Sequence, residues 1–492
     1  MLDQSFSSSN FNIIFLKENR KGNIKKKYLN QEYFEKHQEF KNILAQKLSL
    51  KNNRNGVLLT KEELDDFTEK LENINIEKEE IRNNIFFEYS KLVNSEELPF
   101  YFNINYDKQK KVYTIKKDGL HFFIMKQLQY NIHKTFKVIQ ADRNSIIKQT
   151  FNLLNDGFPK VVVRTDITKF YESLPQEKLF ELIENNTLLS PLSRKFLKRI
   201  FYEFENVKDK SIMEPKKGIP RGLGISAYLS ELYMRKLDEE IRLLPDLIYY
   251  ARYVDDIITI FAPKTKNTRR PYDLELKNLI KNYGLEINDN LEGRKDKTKV
   301  MELLDSSLAR QSVFEFLGYK FIIKNDHKVI VELSNNKIDK YIRRIDLSIN
   351  KYNNDSKTNE KLARKMLIER LKFLTGNYRL NHNKSSIKAG IFYSNQMLTL
   401  NKDRGSFNSL YNLDRRLERS LSNIQPYEKI GIDANKLIDF LKVKFSFSDG
   451  FFEKSNHFYT FKFNTKENNI YKRKFDRSTN KYEVIKSIWK DE

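Results

Sequence analysis

Two adjacent aspartates, Asp255 and Asp256, interrupt an otherwise apolar stretch, with Leu247–Val254 on one side and Ile257–Ala262 on the other. Arms this apolar belong in a core, and a gap of two residues leaves room only for a tight hairpin. The two carboxylates then stand at the tip of a buried β-ribbon. A third, Asp166, closes the strand-like run Val161-Val162-Val163-Arg164-Thr165. If the ribbon and this strand are neighbours in one sheet, three acids meet at its edge. Each acid also has a plainer use. Aspartate is common in hairpin turns, and Asp166 taken alone would serve as a helix N-cap.

Acids gathered from different strands suit phosphoryl transfer. Two divalent ions about 3.5–4 Å apart activate an attacking hydroxyl and stabilise the leaving oxygen. Mg²⁺ takes octahedral oxygen coordination from a few carboxylates and substrate phosphates. The rest of the composition narrows the chemistry. Ninety Lys and Arg against 66 Asp and Glu give a net charge of +24, which favours a polyanionic partner. Cysteine is absent, so disulfides, thiolate zinc sites and thiol nucleophiles are excluded together. The six histidines are scattered, which argues against a zinc enzyme or a histidine nuclease. No apolar run approaches the length of a bilayer and residues 1–20 lack a signal-peptide pattern. The expected setting is cytoplasmic, without a membrane partner. Aromatic residues make up 13%; most belong in the core, and those interleaved with Lys and Arg suit stacking on bases.

With 492 residues the chain has room for about three ordinary domains. The first thirty residues, ending in Lys25-Lys26-Lys27, read as a loosely held basic arm. Helices are expected over Gln31–Leu50, from Thr60 in a capping box, and over Ile76–Val93. A strand-like region follows: Phe100–Ile104, Val112–Ile115, a turn at Lys117-Asp118-Gly119, then Leu120–Met125. Asp142–Leu154 reads as a helix, Lys160–Thr165 as a buried strand, Gln176–Glu184 and Pro191–Phe204 as helices. The loop Lys216–Gly224 leads into a long helix over Ser226–Leu244. Beyond the ribbon come a helix at Tyr272–Tyr283 and short strands at Leu285–Ile287, Thr298–Met301, Phe314–Ile323 and Val329–Leu333. From Asn335 onward the pattern is helical and basic. Ile338, Tyr341, Ile342, Ile345 and Ile349 form one stripe. Further helices are expected near Thr358–Thr375, Ser406–Leu421 and Ala434–Val443, then β-like alternation at His457–Asn464 and a basic tail.

The ordered set of motifs carries a family resemblance. Arg164-Thr165-Asp166-Ile167-Thr168-Lys169-Phe170-Tyr171-Glu172-Ser173-Leu174 resembles motif A of reverse transcriptases. Gly218-Ile219-Pro220-Arg221-Gly222-Leu223-Gly224-Ile225-Ser226 resembles motif B, and Tyr253-Val254-Asp255-Asp256 the YxDD box of motif C. Gly284-Leu285-Glu286-Ile287-Asn288 with Lys297-Thr298 is similar to motif D. Phe314-Glu315-Phe316-Leu317-Gly318-Tyr319 is similar to motif E, the primer grip. Ala141-Asp142-Arg143 with Gln149 is similar to the fingers signature of bacterial members. The resemblance covers about residues 100–330, and the thumb less specifically to about 380.

It implies an α+β right-hand polymerase with fingers, a ferredoxin-like palm and a thumb, followed by a basic helical extension. The expected division is a basic arm and helical region at 1–98, fingers and palm at 99–334, a helical thumb and extension at 335–445, and a β-like basic tail at 446–492. Asp166, Asp255 and the Ile167 carbonyl would ligate two Mg²⁺ ions (or Mn²⁺), with Asp256 in support. Tyr171 falls at the steric gate that excludes a 2′-hydroxyl; its plainer use is a core aromatic, for which Phe170 is the better candidate. Lys297 would approach the triphosphate, or be one solvated lysine of the run Arg294–Lys299. Arg143 would hold nucleotide phosphates, or simply open a surface helix. Lys340, Arg343, Arg344 and Lys351 would track a duplex backbone, or form a solvated face.

Motif B departs from the family pattern. Arg221 stands where the family has glutamine, Ala227 where it has proline, and a later asparagine is missing. Residues 380–492 hold no acidic set suggesting an RNase H. These features most resemble bacterial antiphage-defence reverse transcriptases of the abortive-infection and unknown-group kinds. That resemblance implies an RNA template or structured noncoding RNA, dNTPs, a DNA product, and a companion reverse transcriptase or a second copy. Arg221 would then sit beside the nucleotide, or turn outward to pair with Glu214. Two other readings stay open: a retron or group II intron type enzyme, and a catalytically inactive RNA-binding scaffold.

Overall fold

The computed structural model describes residues 2–51, 60–95, 100–185, 188–209, 211, 213–264, 270–288, 298–304, 311–326, 328–382, 385–425, 433–461 and 485–489. In chain order these form α1 (Ser8–Arg20), α2 (Gln31–Lys51), α3 (Lys61–Asn94), β1 (Asn105–Asp107), β2 (Val112–Thr114), α4 (Gly119–Phe136) and α5 (Arg143–Leu154). Next come β3 (Lys160–Asp166), α6 (Phe170–Ser173), α7 (Gln176–Glu184), α8 (Pro191–Val207), α9 (Ser226–Arg242), β4 (Leu247–Tyr253), β5 (Asp256–Phe261) and α10 (Tyr272–Asn282). They are followed by β6 (Lys299–Leu303), β7 (Ser312–Phe316), β8 (Tyr319–Ile323), β9 (Val329–Leu333), α11 (Asn335–Thr375), β10 (Asn377–His382) and β11 (Ser385–Gly390). The last are α12 (Ile391–Ser394), α13 (Asn408–Leu421), α14 (Ala434–Lys444), α15 (Phe447–Phe452) and β12 (Phe458–Tyr459). The class is α+β. No helix among the described residues is long and apolar enough to cross a membrane.

The chain divides into two compact units. The first comprises Met1–Gln140, Asp166–Pro245 and Pro271–Asp296. Its N-terminal part corrects the loose-arm expectation. Ser7 caps α1, and Phe11 and Phe15 are buried against Phe86 of α3, with Phe11 also meeting Phe123 of α4. Amphipathic spacing outweighs the basic flank here. The two helices expected after residue 60 are one, α3, opened by the capping box of Thr60 and Glu63. Leu120–Met125 is not a strand either. Asp118 accepts the backbone N–H of His121 at 3.0 Å and starts α4 there, so an N-cap wins over β-propensity. Phe100–Ile104 makes no ladder; the N–H groups of Phe102 and Ile104 donate instead to the Glu203 carboxylate.

The second unit comprises Ala141–Thr165, Asp246–Arg270 and Lys297–Glu492. Among the described residues its central sheet has the order β4-β5-β3-β6, with β4–β5 and β3–β6 antiparallel. A second sheet, β7-β8-β9, is a meander whose inner face, Phe314, Phe316, Phe321 and Val331, joins the core with Ile345, Ile349 and Leu371 of α11. The stripe read at Ile345 and Ile349 is therefore a packing face. The two helices expected across 335–375 meet within α11 at Asn359, which is non-helical (φ −153°, ψ 89°) and accepts the Leu362 N–H on its side chain at 3.1 Å. The hairpin β10–β11 interrupts the helical run expected there. Of the β-like stretch His457–Asn464, β12 is short and residues 462–464 lie outside the described residues.

Candidate active site

Tyr253 pairs with Asp256 across a two-residue turn, Val254-Asp255, that joins β4 to β5. Val254 has φ +61°, a left-handed conformation that costs a β-branched residue more than glycine. The chain holds it there with help from buried Arg252, whose Nη1 donates to the Val254 carbonyl at 2.9 Å. β5 lies beside β3 in the sheet. Two side-chain contacts fasten them: Thr259 Oγ1 donates to the Val163 carbonyl at 3.3 Å, and Arg164 Nη2 to Asp256 Oδ1 at 2.8 Å. On the other flank of β3, the hydroxyls of Thr165 and Thr298 meet at 2.8 Å.

Asp166, buried, is the last residue of β3 and the first of its segment in the other unit. Its carbonyl accepts the Asn288 N–H at 3.0 Å, Ile167 forms a bridge with Ile287, and the Thr168 N–H donates to the Glu286 carbonyl at 2.8 Å. The strand expected at Leu285–Ile287 is reduced to this bridge. Lys169, with φ +46°, turns the chain into α6. There Phe170 is buried at 3% exposure and Tyr171 is half-buried, the two rings edge to face at 5.4 Å. The Tyr171 carbonyl accepts the Ile219 N–H at 2.7 Å, which places α6 against the loop before α9.

That loop turns on Gly218 (φ +86°) and Gly222 (φ +102°). A Cβ on Gly222 would come within 2.7 Å of the Val112 side chain, so the close approach to β2 needs glycine. Between them Arg221 is held by its backbone, its carbonyl accepting the Tyr113 N–H at 2.7 Å. Its side chain is exposed and makes no ion pair among the described residues. The alternative pairing with Glu214 is not made; Glu214 pairs with Lys217 at 2.7 Å.

Arg143, the first residue of α5, directs its guanidinium to the β7–β8 turn. Leu317 and Gly318 both have positive φ, a geometry suited to a two-residue hairpin. Arg143 Nε donates to the Leu317 carbonyl at 3.0 Å, and the guanidinium lies 5.2 Å from the Tyr319 ring centre. To reach a nucleotide phosphate it would have to release these partners. Lys337 of α11 joins the cluster, its Nζ 4.4 Å from the Tyr319 ring centre and 2.9 Å from Asn395 Oδ1. Burial, with a smaller contribution from Arg143, pulls the Lys337 ammonium down to about 7. Nothing in the periodicity of the basic helix distinguished Lys337 from its neighbours.

Of the remaining candidates, Lys340 and Arg343 are exposed on α11. Arg344 lies 5.3 Å from the Trp489 ring centre, and Lys351 pairs with Asp355 at 2.8 Å. Lys297 lies outside the described residues. Arg164 enters the sequence pattern only as part of motif A; its pairing with Asp256 depends on strand order, which no local pattern carries.

Residues 109–321 match the family model described as "Reverse transcriptase (RNA-dependent DNA polymerase)". Over this span the chain is similar to reverse transcriptases. Asp166, Asp255, Asp256, Tyr171 and Arg221 fall inside the matched span, and α11 lies beyond it. No curated protein matches the chain. Among solved structures, an apo telomerase from Candida tropicalis truncated from its C-terminal domain is similar at 17% identity and TM-score 0.29, over 42% of this chain and 45% of that one. Telomerase from Candida albicans, solved with a TWJ fragment of telomeric RNA, gives 13% identity and TM-score 0.31 over 74% of this chain and 56% of that one. A further apo telomerase from Candida tropicalis gives 14% and 0.32, over 75% and 60%. The matched part thus spans about half the length of these structures.

Reverse transcriptase domains generally use divalent metal ions. Among the described residues no group of three or more His, Asp or Glu gathers as a protein-only metal cage. The donor set of the reverse transcriptase domain nevertheless fits a hard divalent cation. Carboxylates and backbone carbonyls are its oxygen ligands, there is no thiolate, and Mg²⁺ completes its shell with water and substrate phosphate.

Proposed function

We propose that this chain is an RNA-directed DNA polymerase that extends a 3′-hydroxyl with deoxynucleoside triphosphates along an RNA template. One observation carries this reading. The turn bearing Asp255 ends a ribbon whose second strand lies beside β3, the strand that closes on Asp166, and all three elements fall inside the reverse transcriptase match.

Asp166, Asp255 and the Ile167 carbonyl would hold two divalent ions, Mg²⁺ or Mn²⁺. When bound, such ions activate the attacking hydroxyl and neutralise charge on the leaving pyrophosphate. Asp256 already shares a charge-assisted hydrogen bond with Arg164, which suits a supporting place and gives direct ligation to Asp255. Tyr171, more exposed than its buried neighbour Phe170, lies beneath the sugar and blocks a 2′-hydroxyl. The motif D resemblance would bring Lys297 toward the triphosphate. Arg143 fixes the β7–β8 turn, and we assign it that role ahead of phosphate binding. Lys340 and Arg343 contact a duplex backbone, while Arg344 and Lys351 shape the same face of α11.

Within this class we assign the chain to the antiphage-defence kind, working with a structured noncoding RNA and acting as a specialised polymerase. Arg221 supports this. Arginine offers only donors and a permanent charge where glutamine offers a donor and an acceptor. Exposed in the loop before α9, it can grip a phosphate or the O6/N7 edge of guanine. Sequencing the nucleic acid that co-purifies with the chain, together with the DNA it makes, tests the assignment. A restricted product that broadens in Arg221→Gln is expected. Faithful full-length copying of unrelated primed RNAs by the parent would overturn the specialised reading while leaving the polymerase reading intact. A folded parent that binds RNA and incorporates no nucleotide would instead mark an inactive scaffold.

A further inference from the structure

α8, in the first unit, turns one side inward through Phe196, Leu197, Ile200 and Phe204, all buried. Its other side lines an open groove of about 700 Å³ formed by Arg194, Lys195, Lys198, Arg199 and Tyr202, with Glu184 at its edge. Four cations face one carboxylate, and Lys198 takes that carboxylate at 2.5 Å. The Arg199 guanidinium lies 4.3 Å from the Tyr101 ring centre and 5.7 Å from that of Tyr202. Both rings stay in solvent, at 46% and 60% exposure. The Nε of Arg194 is buried and has no hydrogen-bond partner among the described residues.

We propose that this groove binds a single-stranded segment of RNA, its phosphates on Arg194, Lys195 and Arg199 and its bases on Tyr202 and Tyr101. Exposed rings interleaved with cations are the arrangement that takes unpaired bases, because every base has a face to stack. A duplex keeps its base faces inside the stack and would leave both rings idle. An acidic peptide would satisfy the cations and also leave the rings idle. The guanidinium groups of Arg194 and Arg199, which line the groove, match phosphate oxygens, which accept in pairs. The groove lies apart from the proposed polymerase residues, and the choice of RNA over single-stranded DNA rests on the RNA partner proposed above.

The test uses the full chain and a fluorescent single-stranded RNA of about 20 nucleotides. Arg194→Gln/Lys195→Gln/Arg199→Gln should weaken binding roughly 10–50-fold near physiological salt. It should also lower the slope of log affinity against log salt by about 2, since each phosphate contact to a single strand contributes about 0.7. Tyr202→Ala should cost about 5–100-fold, as loss of one stacked base does. Ultraviolet crosslinking of the unaltered chain should map to the Tyr101 or Tyr202 peptides. Parental affinity and slope in a triple variant that melts like the parent would overturn the proposal, as would crosslinks confined to other peptides. Polyglutamate binding in the groove, undisplaced by RNA, would assign it to an acidic protein and overturn it as well.

Discussion

Arg164 and Asp256 form a 2.8 Å ion pair that ties the end of β3 to the start of β5. Their side chains are only 15% and 28% exposed, so the charged hydrogen bond is stronger than a surface pair. Arg164 stands two residues before Asp166, and Asp256 directly follows Asp255. The register of the strands that carry these acids is thereby fastened at one point.

Arg164→Met should cost about 1–3 kcal/mol of stability, because Asp256 keeps its charge and loses this partner. Nucleotide incorporation should fall at least tenfold, and Arg164→Lys should recover part of both losses. Urea unfolding and a primer-extension time course measure the two effects. Parental behaviour of the methionine variant in both would show that the pair does not organise the turn.

Val254 holds a left-handed conformation at the tip of the ribbon, where a β-branched residue is strained. Val254→Gly should therefore be no less stable than the parent, and up to about 1 kcal/mol more stable, despite the entropy glycine adds to the unfolded chain. Incorporation should slow as the turn loosens. A thermal melt clearly below the parent's would show that the side chain contributes more by packing than it costs in strain.

Substitution separates the proposed gate at Tyr171 from the core position at Phe170. Tyr171→Ala should admit ribonucleotides, read as the ratio of dATP to ATP incorporation, with little loss of stability. Phe170→Ala should cost about 3–5 kcal/mol through an empty core site. An unchanged dATP/ATP ratio in Tyr171→Ala would place the gate elsewhere.

Lys337 makes stability depend on pH in a definite direction. Its ammonium titrates near 7 in the folded chain, against 10.5 ordinarily, with Arg143, Tyr319 and, through Asn395, Tyr341 around it. Between these values the unfolded chain binds the extra proton, so stability rises with pH from about 7 to above 9. Below 7 the buried charge is present in both states and its full cost remains. Lys337→Met should remove this rise, which we expect to be on the order of 1–3 kcal/mol. Parallel pH profiles for parent and variant would contradict it.

How much was legible beforehand follows from which forces are local. The ribbon at Asp255-Asp256 and the strand ending at Asp166 stood out because unbroken apolar runs and a two-residue gap are contained in a short window. The capping box at Thr60 and the start of a helix near Asp142 were readable for the same reason. What failed depended on competition or distance. Leu120–Met125 carries β-forming residues, yet Asp118 caps a helix there. The N-terminal segment reads as a basic arm until Phe86 and Phe123 supply a surface for Phe11. The pairing of Arg164 with Asp256 joins residues 92 positions apart, and the burial of Lys337 depends on Arg143, Tyr319 and Asn395. No window of sequence contains either.

The most direct test is nucleotide incorporation by Asp255→Ala, assayed with Mg²⁺ and with Mn²⁺ on a primed RNA and checked for folding by its melting temperature. Loss of one of the proposed metal ligands should lower incorporation by at least about 1,000-fold with the melting temperature within a few degrees of the parent's. A folded Asp255→Ala protein that extends the primer at the parental rate with either ion would contradict the two-metal assignment outright.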